Sequence, residues 1–304
     1  MTDDSAPVRV GTVLLRFGPM IYGPTVLFSL GEGAVIPLIP VIASQLGANL
    51  ALAALVTSAL VVGQLCGNIP AGWAVARFGE RYAMAAGGIV AIVSGVALLF
   101  APNLATLTIA VFVLGFCAAV FGLARHSFMT TRVPLTFRAR SLSLLGGSFR
   151  LGTFVGPFIA AGLLAIFGDE HSAIWFALAC LVGVVLLVLL GPDPEKRVAT
   201  ALAGTPADSR ATDVADDSGE VVTGSIPTSE RVGVFRTMWQ HRGVLSRLGL
   251  AAASLSAQRS ARQVVLPLWG VSIGLDAQTI ALVVGISGAI DFALFYASGQ
   301  VMDR

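Results

Sequence analysis

Apolar residues run through this chain in long unbroken stretches, and the polar residues gather at their ends. Stretches long enough to cross a bilayer, roughly 20 residues each, lie at 18–45, 51–75, 82–100, 105–125, 141–167, 173–190, 244–273 and 277–302. The pattern predicts eight transmembrane helices and so an all-α, polytopic membrane protein. Gly, Ala, Val and Leu dominate these runs, and small residues let helices approach closely in lipid.

Four segments follow. Residues 1–17 form a short cytoplasmic tail, 18–190 a six-helix bundle, 191–243 a polar linker, and 244–304 the first two helices of a second bundle. The first part of the linker, "GPDPEKRVATALAGTPADSRATDVADDSGE", has too few apolar residues to bury a core and is expected to be disordered. Its last part, "PTSERVGVFRTMWQHRG", sets Val234, Phe235, Met238 and Trp239 opposite Arg231, Arg236 and Arg242. That is the pattern of a helix lying on the inner membrane surface.

Composition sharpens this picture. Of 304 residues, 56% are hydrophobic and only 12% charged, with a mean hydropathy of +0.85; a soluble domain carries roughly 25% charged residues. A net charge of +2, with no basic stripe interleaved with aromatics, excludes a nucleic-acid partner. Cys66, Cys117 and Cys180 each lie inside an apolar run without a CxxC pair or a His/Asp cluster. They are expected to be packing residues, and no metal or cofactor is expected.

The short loops alternate in charge. One set holds Arg77 and Arg81, then Arg125, Arg132, Arg138 and Arg140, and the tail adds Arg9 and Arg16. The other set, "LGANL", "APNLAT", "GDEHS" and "GLDAQT", contains no Lys or Arg. The positive-inside rule then puts the N-terminus and the 2–3 and 4–5 loops in the cytoplasm, with the lipid of an inner (plasma) membrane as surroundings.

A single ungapped offset of 227 pairs Gly72 with Gly299, Arg77 with Arg304 and Pro40 with Pro267. It also pairs Glu32 with Arg259 and Gln64 with Asp291, and it aligns the helix starts. A parallel duplication accounts for that agreement.

After the second run comes "GWAVARFGER", residues 72–81, and its partner under the offset is "GQVMDR", residues 299–304. Together they resemble the loop 2–3 signature of the major facilitator superfamily. Gly72, Arg77, Gly79 and Arg81 match in the first copy, and Gly299, Asp303 and Arg304 in the second; Ala76 stands where the family has an aspartate. In the fifth run, "RLGTFVGPFIAAG" (150–162) resembles the antiporter motif of proton-coupled drug exporters in that superfamily, with Gly152, Gly156, Pro157 and Gly162. Gly152 and Gly156 share a helix face, a spacing that also serves ordinary helix packing. The arginine that the family carries on helix four, some four residues before Gly115, falls here at Val111.

Glu32, Arg150, Arg259, Arg262 and Asp291 sit well inside their runs, each costing about 2.5–3.5 kcal/mol at a helix centre before pairing. Such groups turn toward partners or a watery cavity, and the resemblance places them, with Gln64, on a substrate or proton pathway. Glu32 is the candidate for proton exchange. Arg259, Arg262 and Asp291 are expected to cluster. Arg125, His126 and Arg132 are taken as a basic loop that serves orientation, ahead of a proton relay at His126.

No nucleophile–base pair, metal spacing or phosphate loop appears, so no enzyme is expected. The expectation is alternating-access transport, in the form of proton-coupled export of a small amphipathic compound. The alternatives are a facilitator or symporter for a small anionic solute, and a truncated protein that does not transport. On the last reading, "GQVMDR" is half of a turn whose continuation, with about four more spans, is missing.

Overall fold

The computed structural model describes residues 22–132, 135–191 and 242–302, and these form helices joined by short turns, with no strand. The chain divides into two compact units, Met1–Gly191 with Ser260–Arg304, and Pro192–Arg259. The N-terminal tail, the linker with its expected surface helix, and Asp303 and Arg304 lie outside the described residues.

The first span is built from α1 (Gly23–Val35), a 3-10 turn (Ile36–Leu38) and α2 (Ile39–Gln45). Pro37 and Pro40 cause the interruption, because neither can donate a backbone hydrogen bond to the turn before it. Then follow α3 (Leu50–Phe78), α4 (Glu80–Leu99), α5 (Leu104–Arg132), α6 (Leu135–Phe167), α7 (His171–Leu190), α8 (Arg242–Ser272) and α9 (Ala277–Met302). Among the described residues, seven of these spans are long and apolar enough to cross a membrane. The helix α8 is not one of them; Gln258, Arg259, Arg262 and Gln263 crowd its middle.

Several boundaries differ from the apolar runs. The helix α5 passes Arg125 and continues to Arg132, so the basic stretch expected as a loop is helix. Phe121, Ala124, Arg125, Phe128 and Met129 are all buried, at spacings of three and four that belong to one helix face. Likewise "GWAVARF" is still helical, and only Gly79, at φ 82°, separates α3 from α4.

The offset reappears in the backbone. At the end of α2, Ala48 N donates to Ala43 O (3.0 Å) and Gly47 N to Ser44 O (3.0 Å). At the end of α8, Leu275 N donates to Gly270 O (3.0 Å) and Gly274 N to Val271 O (3.1 Å). Gly47 and Gly274 hold φ of 84° and 78°, the left-handed backbone that a helix stop of this kind requires and that glycine adopts without strain. Two residues on, Asn49 accepts from Leu52 N (2.9 Å) and Asp276 from Thr279 N (3.2 Å), each capping the next helix. All of these positions pair at the same separation in sequence.

Most of the packing is between helices that are not neighbours in sequence: α3 on α5, α1 on α6 and α7, α4 on α7, and α9 on α6. The consecutive pair α4 and α5 also packs together. Where α3 crosses α5 the backbones touch. A side chain at Gly63 would strike the Phe112 carbonyl, and one at Gly115 the Leu60 carbonyl. A side chain at Gly72 would meet only Leu123 Cδ2, at 3.8 Å, so the close approach lies nearer the middle of the span. Cys117 and Cys180 are buried, but Cys66 is exposed and is not an interior packing residue. Leu65, Ile69, Val93 and Trp175 also face outward, apolar surface that suits hydrocarbon and not water.

Candidate functional site

Side chains from four helices meet at one cavity of about 430 Å³. From α1 come Phe28 and Glu32, from α3 Gln64 and Asn68, and from α5 Phe121 and Arg125. Each pair is spaced i, i+4, which puts both side chains on one helix face. Phe149 of α6 and His126 of α5 complete the polar and aromatic lining.

Glu32 and Arg125, which bear opposite charges when ionised, both line this space. Arg125 is only 8% exposed, and its guanidinium carbon lies 4.7 Å from the Phe149 ring centre and 6.0 Å from that of Phe121. Its Nε and Nη1 are buried and have no hydrogen-bond partner among the described residues. A buried donor without an acceptor forfeits roughly 1–3 kcal/mol, so the site stores an unmet demand for negative charge. His126 Nδ1 lies 2.8 Å from the Gly122 carbonyl of its own helix.

Glu32 also lines a second, small cavity of about 20 Å³ with Phe28, Gly31, Val35, Leu98 and Ile174. Leu98 and Ile174 in turn line a third, of about 120 Å³, that reaches Gln45, Glu170 and His171. There Gln45 Nε2 donates to Glu170 Oε1 at 2.9 Å.

The glycines of α6 hold α1 against it. A side chain at Gly156 would lie 2.6 Å from the Leu30 carbonyl oxygen and 2.9 Å from Ala34 N. One at Gly152 would collide with Ser29, and Gly33 faces Thr153 and Gly152 from the other side. Gly162 has nothing within 4 Å, so it takes no part in this contact. Glu32 is thereby fixed by the ridge on which its own helix rests.

The remaining predicted residues are dispersed. Arg262 Nη2 donates to Asp291 Oδ2, joining α8 to α9, with the two side chains 42% and 39% exposed. Arg259 is exposed on α8, and Arg150 is half-buried on α6 outside the cavity lining. Arg81 reaches the end of α7, where Nε donates to Val188 O (3.0 Å) and Nη2 to Leu189 O (2.5 Å) and Gly191 O (3.1 Å). A cation at a helix C-terminus satisfies carbonyls that have no partner within the helix. Arg77 is exposed beside the Trp73 ring, 5.9 Å from its centre.

Sequence reasoning therefore selected Glu32 and Gln64 at the cavity but missed Arg125, Asn68 and the three phenylalanines. The signal for Arg125 was present: Phe121, Ala124, Phe128 and Met129 continue the apolar period straight through the basic stretch. Among the described residues, no group of His, Cys, Asp and Glu could hold a metal ion.

Comparison with known proteins gives the frame for this geometry. No curated protein sequence matches the chain. Two solved structures each align with 98% of it at 13% identity. One is the crystal structure of a D-xylose–proton symporter, of which 70% is covered, with a TM-score of 0.63. The other is a partially occluded, inward-open structure of the xylose transporter XylE from E. coli, of which 74% is covered, with a TM-score of 0.54. At that identity the likeness shows the fold. The sequence model of the Major Facilitator Superfamily matches residues 24–304. The chain belongs to the major facilitator superfamily, as a multi-pass membrane transporter and not an enzyme.

Proposed function

We propose that this transporter couples the movement of a small amphipathic solute to protons by alternating access, and that Glu32 takes up and releases the proton. The observation that carries the reading is the position of Glu32, on a central cavity beside Arg125, Gln64 and Asn68. A carboxylate inside a membrane protein is costly unless it works or is paired. Three phenylalanines and two amides around it make a lining that is itself amphipathic. The basic helix ends face the cytoplasm of an inner membrane, as the loop charges require.

Two directions of coupling are open, and each has its own support. Export in exchange for protons is favoured by the α6 segment that resembles the antiporter motif, whose Gly152 and Gly156 grip the helix bearing Glu32. Joint movement of a small anionic solute with a proton is favoured by the unmet donors of Arg125.

The test is transport by the purified protein in vesicles under imposed pH gradients of either sign. Glu32→Gln should abolish gradient-driven accumulation while leaving solute exchange at equal pH. A variant that still concentrates solute against its gradient would transfer the proton role to another group.

A further inference from the structure

We infer that Arg125 is the anchor for the anionic group of an organic solute, a monocarboxylate with an apolar or aromatic body, and that solute and proton occupy this cavity together. The inference rests on the reading of this cavity as the transport site.

The donor is already in place. Arg125 is nine-tenths buried and lines the cavity, with two nitrogens that have no acceptor among the described residues. Guanidinium–carboxylate hydrogen bonds are charge-assisted and about twice as strong as neutral ones. The body of the solute is specified by Phe28, Phe121 and Phe149, which offer ring faces for apolar contact. Gln64 and Asn68 can each both donate to and accept from a further polar group. The volume, about 430 Å³, falls within the range of roughly 300–1,000 Å³ typical of small-molecule sites.

The proton enters through competition for Arg125. The titratable groups that line the cavity with Arg125 are Glu32 from α1 and His126, its neighbour on α5; α3 and α6 contribute Gln64, Asn68 and Phe149. An ionised Glu32 neutralises Arg125 and repels an incoming carboxylate. When a proton from water binds the Glu32 carboxylate, Arg125 is left without a counter-charge and the solute carboxylate takes that role. Solute and proton each favour the other's binding, and a pair that binds together crosses together. The two directions of coupling separate here in favour of joint movement.

The experiment uses the full chain in lipid nanodiscs with phenylacetate as probe, against phenylacetamide and 2-phenylethylammonium of similar size. Phenylacetate should bind at least about tenfold more tightly than either analogue, the gain expected of one charge-assisted contact. Binding should take up about one proton in weakly buffered solution, the stoichiometry of a single coupled group. Arg125→Gln should erase the preference for the anion. Glu32→Gln should keep that preference, bind phenylacetate equally well in acid and alkaline buffer, and take up no proton. If Arg125→Gln does not fold, the ranking of the three probes on the unaltered chain decides, because a purely structural arginine predicts no preference for the anion. Equal binding of the three probes, or preference for the cation, overturns the inference and leaves proton coupling at Glu32 standing. Anion preference that is lost in Arg125→Gln but carries no proton uptake overturns the joint occupancy.

Discussion

Arg262 and Asp291 illustrate how much a charge pair depends on its surroundings. The two are joined by a hydrogen bond, yet each side chain is about two-fifths exposed. Breaking a fully buried pair by removing one partner costs about 3–5 kcal/mol, whereas exposed pairs are worth about 0–1. An intermediate loss of about 1–2 kcal/mol is therefore expected for Asp291→Asn, measured as thermal stability in detergent. The double change Asp291→Asn with Arg262→Gln should recover most of it, and equal damage in single and double variants would mean that the pair contributes nothing. The sequence disclosed these two residues because charge inside an apolar run is conspicuous. It concealed Arg125 for the opposite reason. Arg125 lies where an apolar run fades into a basic one, so its charge read as the end of the span. Only the continued burial of Phe128 and Met129 beyond it puts Arg125 inside the bundle. The three phenylalanines of the cavity were hidden among seventeen phenylalanines spread along the chain. Chemistry that is unusual for its location can be read from sequence; chemistry that is ordinary for its location needs the fold.

At the scale of the element, the turns matter more than the spans. Among the described residues the apolar runs are helical, but the first is broken by the turn at Ile36–Leu38. The run at 244–273 is too polar to count as a span, and at the basic ends α5 and α6 run several residues farther than hydropathy allows. The neutral ends are punctuated by side chains that accept from the first turn of the next helix, and Asp276 is a charged example. Its carboxyl accepts from Thr279 Oγ1 at 2.6 Å and from Thr279 N, and these hydrogen bonds hold it below its ordinary value of 3.8. A group depressed in the folded state contributes stability above its unfolded value, and loses it as pH falls through the lower folded value. Asp276→Ala should therefore lower stability by about 0.5–1 kcal/mol at neutral pH, toward the small end for a cap because the site faces solvent. The difference from the wild type should close in strong acid. A gap that stays constant with pH would show that the cap works without its charge. Asn49, the counterpart under the repeat, carries no charge, so Asn49→Ala should show no such closing.

At the scale of the whole molecule, α9 packs on α6. Phe154 stacks on Phe292 with ring centres 5.9 Å apart, and a Cβ added at Gly288 would lie 3.7 Å from that of Phe154. That separation fits a disulfide, for which about 3.5–4.5 Å is required. The double variant Phe154→Cys with Gly288→Cys should oxidise readily. If transport slides α9 on α6, the oxidised form should be inactive and the reduced form active, with the loss read as solute flux in vesicles. Flux that survives full oxidation would place the moving surface elsewhere. The pairing of helices distant in sequence also governs how the protein is made. Glu32 leaves the ribosome on the first span, while Arg125 follows on the fourth, about 90 residues later. At elongation rates of about 5–20 residues per second, the acid waits on the order of 5–20 s for its counter-charge. The α6 ridge that α1 rests against arrives later still. During that interval the first span must be sheltered by the insertion machinery or carry its proton, so the residue proposed for coupling is also a burden on the nascent chain.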